Sequence, residues 1–219
     1  MDGKRNFLLE RTYTIWALVL IVWSFYRASF KFPEIVDELI FKPLVFLGPM
    51  LIYVLKKEHR VLASIGLQTG KFFRDIYLGI GFGMLFAVEG LIANSVKYGQ
   101  FTFAPLISVS GVNILIATLL AIVGAFCEEL LVRGFLYTRL KENYHDEFKA
   151  MLVSTSMYFM LLIPGIFAVS HLVGVPLLIF IMTNIIISMA NTMIFNETKT
   201  LTVPVLLHAF WNMAVVLYL

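Results

Sequence analysis

Residues 126–137 read F-C-E-E-L-L-V-R-G-F-L-Y and place two adjacent carboxylates, Glu128 and Glu129, directly after an apolar run from Val112 to Ala125. An unpaired charge in such surroundings costs several kcal/mol and needs a compensating reason. On a helix Glu129 and Arg133 stand at i and i+4 and can pair, whereas Glu128 is rotated by about 100° and points elsewhere. One glutamate is then structurally paired and the other is left for chemistry. Two more pairs at one-turn spacing lie in apolar surroundings, Phe167 with His171 in F-A-V-S-H and His208 with Asn212 in H-A-F-W-N. A mutual hydrogen bond would satisfy His208 and Asn212 taken alone. As a set, Glu128, Glu129, Arg133, His171, His208 and Asn212 fall on three apolar segments, and because each is costly in isolation they are expected to meet around a water-holding cavity. A carboxylate with a histidine can orient and deprotonate water, and a second histidine with an amide can stabilise the oxyanion of an attacked carbonyl. That is the equipment for amide hydrolysis without a covalent intermediate.

Competing chemistries have less support. A serine mechanism needs a positioned Ser with a His inside the membrane, and an aspartyl mechanism needs two membrane Asp residues, whereas Asp2, Asp37, Asp75 and Asp146 fall at termini, loops or interfaces. The single cysteine, Cys127, excludes an intramolecular disulfide and reads as a packing residue, since two neighbouring anions disfavour its thiolate. No cofactor is required by this set. Zinc stays open through Glu and His ligands, although Asn is a poor ligand and an H-E-x-x-H pair is missing. Glu89, in the middle of another apolar segment, is either a functional acid or a carboxyl hydrogen-bonded to a neighbouring helix. A small carrier or proton-coupled transporter using Glu89 and the glutamate pair is the corresponding alternative.

The elements that must carry these residues are membrane helices. The chain is 60% hydrophobic and 14% charged, far from a soluble domain. At about 20 residues per crossing, seven segments stand out, roughly 13–30, 38–55, 76–96, 112–132, 150–171, 175–195 and 201–219. The expected fold is therefore an all-α polytopic transmembrane bundle of about seven helices, with no cleavable signal peptide. Thirteen of the 17 basic residues fall on one side if the N-terminus is cytoplasmic, leaving Arg27, Lys31, Lys42 and Lys97 on the other. Gly79, Gly81 and Gly83 are expected to admit a neighbouring helix closely. Residues 56–75 read as a cytoplasmic connection, with Leu62, Ile65, Leu67, Phe72 and Phe73 either dipping into lipid from a short interfacial helix or belonging to a solvated loop. The net charge of +3 suits anionic lipid and gives no support for a nucleic-acid partner.

E-E-L-L-V-R, F-A-V-S-H and H-A-F-W-N fit E-E-x-x-x-R, F-x-x-x-H and H-x-x-x-N, in the order found in the CPBP family, the CAAX proteases and bacteriocin-processing enzymes also called Abi. The resemblance covers roughly residues 71–219 as a protease core, with 1–70 as an N-terminal two-helix region. It implies an intramembrane endopeptidase in which Glu128, with His171, activates water, His208 and Asn212 stabilise the oxyanion, and Glu129 and Arg133 support them, with Phe167 in the second motif. The implied substrate is a peptide precursor or membrane-associated protein, in a multi-pass protein of the plasma membrane. The alternative within the same family is a catalytically silent scaffold or bacteriocin-immunity protein. One spacing is in tension with this reading. A straight helix from Ala150 would carry His171 about 30 Å away at 1.5 Å per residue, so segment five is expected to begin along the interface and cross late, or to bend at Pro164-Gly165.

Overall fold

The computed structural model describes residues 2–68, 70–99, 111–169 and 173–218. Seven helical rods follow one another there, one over each expected segment: α1 (Asp2–Ser29), α2 (Glu34–Lys56), α3 (Phe72–Tyr98), α4 (111–144), α5 (Glu147–Val169), α6 (Val175–Thr198) and α7 (Thr202–Tyr218). Among the described residues, four stretches, Phe7–Ser29, Glu34–Lys56, Asn113–Tyr144 and Glu147–Phe167, are long and apolar enough to cross a membrane, and Thr202–Val215 is a shorter apolar helix. The protein is an all-helical membrane bundle.

Two rods depart from a regular α-helix, and both departures bear on the site. In α2 the turns Asp37–Phe41 and Pro43–Leu47 are π-helical, around a proline that cannot donate to the ladder. In α4 the α-helix Gly111–Glu129 passes into π-helical turns over Leu130–Tyr137 before an α-helical end, Thr138–Tyr144. All eight residues of that wide stretch are buried. Around it lies the core, in which Met50, Val54, Ile65, Leu131, Val132, Phe135, Leu136, Leu140 and Ala150 are fully enclosed.

α3 lies along α7, where a side chain at Gly79 would meet Leu206 and one at Gly83 would meet Phe210. Gly81 faces open space, so two of the three expected glycines carry the close approach. The connection after α2 contains a short helical turn and differs from the expectation at Ile65, which faces the core. It folds as a 3₁₀ turn, Leu62–Ile65, that tucks Ile65 beneath α4 and ties Gly66 O to Leu201 N. Val61 and Leu62 are exposed beside it, Leu67 is half-buried, and Phe72 and Phe73, which belong to α3, are exposed as well. α5 differs as well. It is one helix through Pro164, and Ala150, Ser154, Tyr158 and Leu161 are all buried, so its first part packs in the bundle and does not lie apart at the interface. Arg133 and Lys42, both counted in the charge asymmetry, are buried inside the bundle and carry no information about sidedness.

Candidate active site

Glu128 and Glu129 sit where α4 changes from α to π geometry, and α7 passes directly across them. Although a regular helix turns the two carboxylates apart, both reach His208, one from each ring nitrogen. His208 Nδ1 lies 2.7 Å from Glu129 Oε1, and Nε2 lies 3.5 Å from Glu128 Oε2. His208 and Glu129 are 4% and 0% exposed, so these contacts are shielded from bulk solvent. The mutual bond between His208 and Asn212 is therefore not what satisfies the imidazole. Asn212 follows one turn further along α7 and is half-buried.

Glu129 is the anchored member of the pair, as its spacing implies. Its Oε1 accepts from Arg133 Nη1 at 3.2 Å and from Asn191 Nδ2 at 2.9 Å, in addition to the histidine. Arg133 is fixed in turn by Ser188, with Nη2 2.8 Å from the backbone oxygen and 2.6 Å from Oγ, and Ser188 Oγ continues to Thr155 at 3.1 Å. A buried guanidinium survives in this setting because it is both paired and hydrogen-bonded. α6 thereby contributes Ser188 and Asn191 to the support. Neither motif spacing nor charge singles them out, and their only signal is polarity within an apolar helix.

Glu128 is not free, which corrects the simplest reading of the pair. Its Oε1 receives Lys42 Nζ at 3.0 Å and its Oε2 receives the Tyr158 hydroxyl at 3.1 Å. The same hydroxyl lies 3.4 Å from His208 Nε2, so Glu128 Oε2, Tyr158 and His208 form a triangle. Lys42 is shared with Glu38, whose oxygens stand 2.5 and 2.6 Å from Nζ. Lys42 is a missed site residue, and its signal is the i, i+4 pair Glu38–Lys42 inside an apolar run. Tyr158 gives no comparable signal among the chain's nine tyrosines.

A cavity of about 140 Å³ opens beside Glu128, lined by Trp23, Arg27, Glu38, Lys42, Phe46, Tyr158, Leu161, Leu162 and Gly165. That is room for a few water molecules. A larger, mostly apolar hollow of about 600 Å³ elsewhere contains none of the chemical residues. Phe167 is 85% exposed and is not brought to the cluster. His171 lies outside the described residues, as does the side chain of Glu89. Cys127 is buried and packs in the core. Among the described residues no group of three or more His, Cys, Asp or Glu side chains has a metal-holding arrangement.

The geometry puts a carboxylate oxygen and an imidazole nitrogen close enough for one water lying beside the pair to reach both, with a phenol next to them. No curated protein and no solved structure matches the chain. The family model described as Type II CAAX prenyl endopeptidase Rce1-like matches residues 110–214, the stretch that holds every polar member of the cluster except Lys42 and Glu38. Over that stretch the chain is similar to the Rce1-like type II CAAX prenyl endopeptidases.

Proposed function

We propose that the protein is an intramembrane endopeptidase that hydrolyses a peptide bond of a peptide precursor or membrane-associated protein with water activated by Glu128 and His208. The observation that carries this reading is the position of His208 between the two glutamates. Glu129 accepts the Nδ1 proton, which leaves the Nε2 lone pair facing Glu128 Oε2 across 3.5 Å. A water lying to the side of that pair can hydrogen-bond to both acceptors. As its oxygen adds to the peptide carbonyl, its proton passes to Glu128. The resulting oxyanion is met by donors, for which the Asn212 amide and the Tyr158 hydroxyl are the proposed groups, the hydroxyl turning its one proton from Glu128 Oε2 once Glu128 has taken up the water proton. When the C–N bond breaks, Glu128 returns the proton to the leaving nitrogen, giving a new carboxyl terminus and a new amine. His208 thus orients water in this reading, whereas the family resemblance gives it the oxyanion.

No metal is needed for these steps. The donor set also fits a divalent cation poorly, because an ammonium already stands 3.0 Å from Glu128 and would repel it. The plasma membrane is the proposed location. The test is cleavage by purified protein in liposomes, using a fluorogenic prenylated CAAX peptide and a mixed leader-peptide library, with Glu128→Ala and His208→Ala alongside. Cleavage lost in both variants is expected, and cleavage retained in either one overturns this assignment.

A further inference from the structure

The proposed hydrolysis leaves one charged group in the site without a task. Lys42 comes from α2, outside the stretch that matches the family, and is 8% exposed in an apolar rod. A buried ammonium is retained only where its partners compensate it, and its partners are Glu38 on its own rod and Glu128 on α4. The other charged and titratable groups nearby are already committed. Arg27 on α1 is paired with Asp37, Tyr158 on α5 donates to Glu128, and His208 on α7 is held by Glu129.

We infer that Lys42 is a positioning residue that holds Glu128 as an oriented carboxylate, with Glu38 tethering the ammonium. Two geometric facts carry this. Lys42 takes Oε1 and Tyr158 takes Oε2, so the carboxylate plane is fixed, and the oxygen nearer the imidazole is the one left without a cation. Gly124 also leaves room for Glu38, since a side chain there would run into Glu38 Oε2 and reach Lys42 Nζ at 3.4 Å. In a buried site a carboxyl without a counter-charge takes up a proton. A protonated Glu128 could not accept one from water, so the ammonium keeps the base in its working form.

This inference rests on the protease reading, and the experiment separates the two. Wild type, Lys42→Met, Lys42→Arg and the charge-balanced Glu38→Gln/Lys42→Met protein are compared in liposomes for peptide cleavage. They are also compared for labelling by dicyclohexylcarbodiimide, which adds to protonated carboxyl groups in apolar surroundings and is mapped by mass spectrometry. Lys42→Met is expected to lower kcat by about a hundredfold with KM within about threefold of wild type, and Lys42→Arg to recover to within about tenfold. Glu128 becomes labelled in Lys42→Met and stays unlabelled in wild type and Lys42→Arg. The double variant repeats the loss and the labelling, which answers the case in which the single variant fails to fold. Equal labelling of Glu128 in all four proteins, or full turnover in the double variant, overturns the inference. If wild type cleaves no peptide, the protease reading fails, and the labelling pattern still decides whether Lys42 holds Glu128.

Discussion

His208 Nδ1 stands 2.7 Å from Glu129 Oε1, and this contact makes the better-anchored glutamate the partner that orients the imidazole. A carboxylate on one ring nitrogen fixes the tautomer and strengthens the other nitrogen as an acceptor. The adjacent carboxylates of α4 therefore do different work because of what holds each of them. Glu129 is tied to Arg133 and Asn191, and Glu128 to Lys42 and Tyr158.

Glu129→Gln removes the counter-charge of Arg133 and weakens the orientation of His208 together. Arg133 keeps its bonds to Ser188 but remains buried as an uncompensated cation, so stability should fall by about 3–5 kcal/mol. Turnover should fall by at least about a hundredfold, as it does when an orienting carboxylate is neutralised beside a histidine. Thermal unfolding in detergent and peptide cleavage measure the two effects separately.

Tyr158→Phe deletes a single hydroxyl and keeps the ring that packs beside Arg133 and His208. The lost bond to Glu128 Oε2 should change stability by no more than about 1.5 kcal/mol. If the hydroxyl also donates to the oxyanion, kcat drops by about a hundredfold with little change in KM. An unchanged kcat would remove Tyr158 from the proposed chemistry.

The rods are legible in the sequence because apolar runs of spanning length are written directly into it, and so is the Glu129–Arg133 pair, which depends only on helical spacing. Contacts between rods are not. Lys42 and Glu128 are 86 positions apart, and nothing local to either names the other. The i, i+4 spacing that brings Arg133 to Glu129 also pairs Lys42 with Glu38, but an isolated helix pair leaves open which third group will face it. The divergence of Glu128 and Glu129 fails as an expectation for a different reason. His208 has two ring nitrogens about 2 Å apart, and it spans the angle between the carboxylates. Phe167 shows the reverse case, since its spacing from His171 is regular and its side chain is nonetheless exposed.

Chelation should leave turnover within about twofold of the untreated protein, because the proton-transfer steps assigned to Glu128 and His208 need no Lewis acid. The comparison requires a membrane-permeant chelator and subsequent addition of zinc. Loss of activity restored by zinc would reassign Glu128 and His208 as ligands and would make the Lys42 contact a feature of the metal-free state.

Gly134→Ala tests how the support of the site is built from below. A Cβ at this position would stand 2.6 Å from the backbone oxygen of Ile65 and 3.1 Å from Leu130 Cδ1. Side chains could rotate away, but the Ile65 oxygen belongs to the 3₁₀ turn Leu62–Ile65, which is fastened to the start of α7 through Gly66 O and Leu201 N. To admit one methyl group, either that turn must lift or the wide turn of α4 must shift. The expected loss is about 1–3 kcal/mol, read as a lower unfolding temperature in detergent. If the turn lifts, protease sensitivity should increase near residues 61–67 with turnover only modestly reduced, because Arg133 and Glu129 stay on α4. If the α4 turn shifts, turnover falls in parallel with Glu129→Gln while the connection remains protected. Limited proteolysis run beside the activity assay distinguishes the two, and unchanged stability would show that α4 and the turn are not in the close contact that makes glycine necessary at 134.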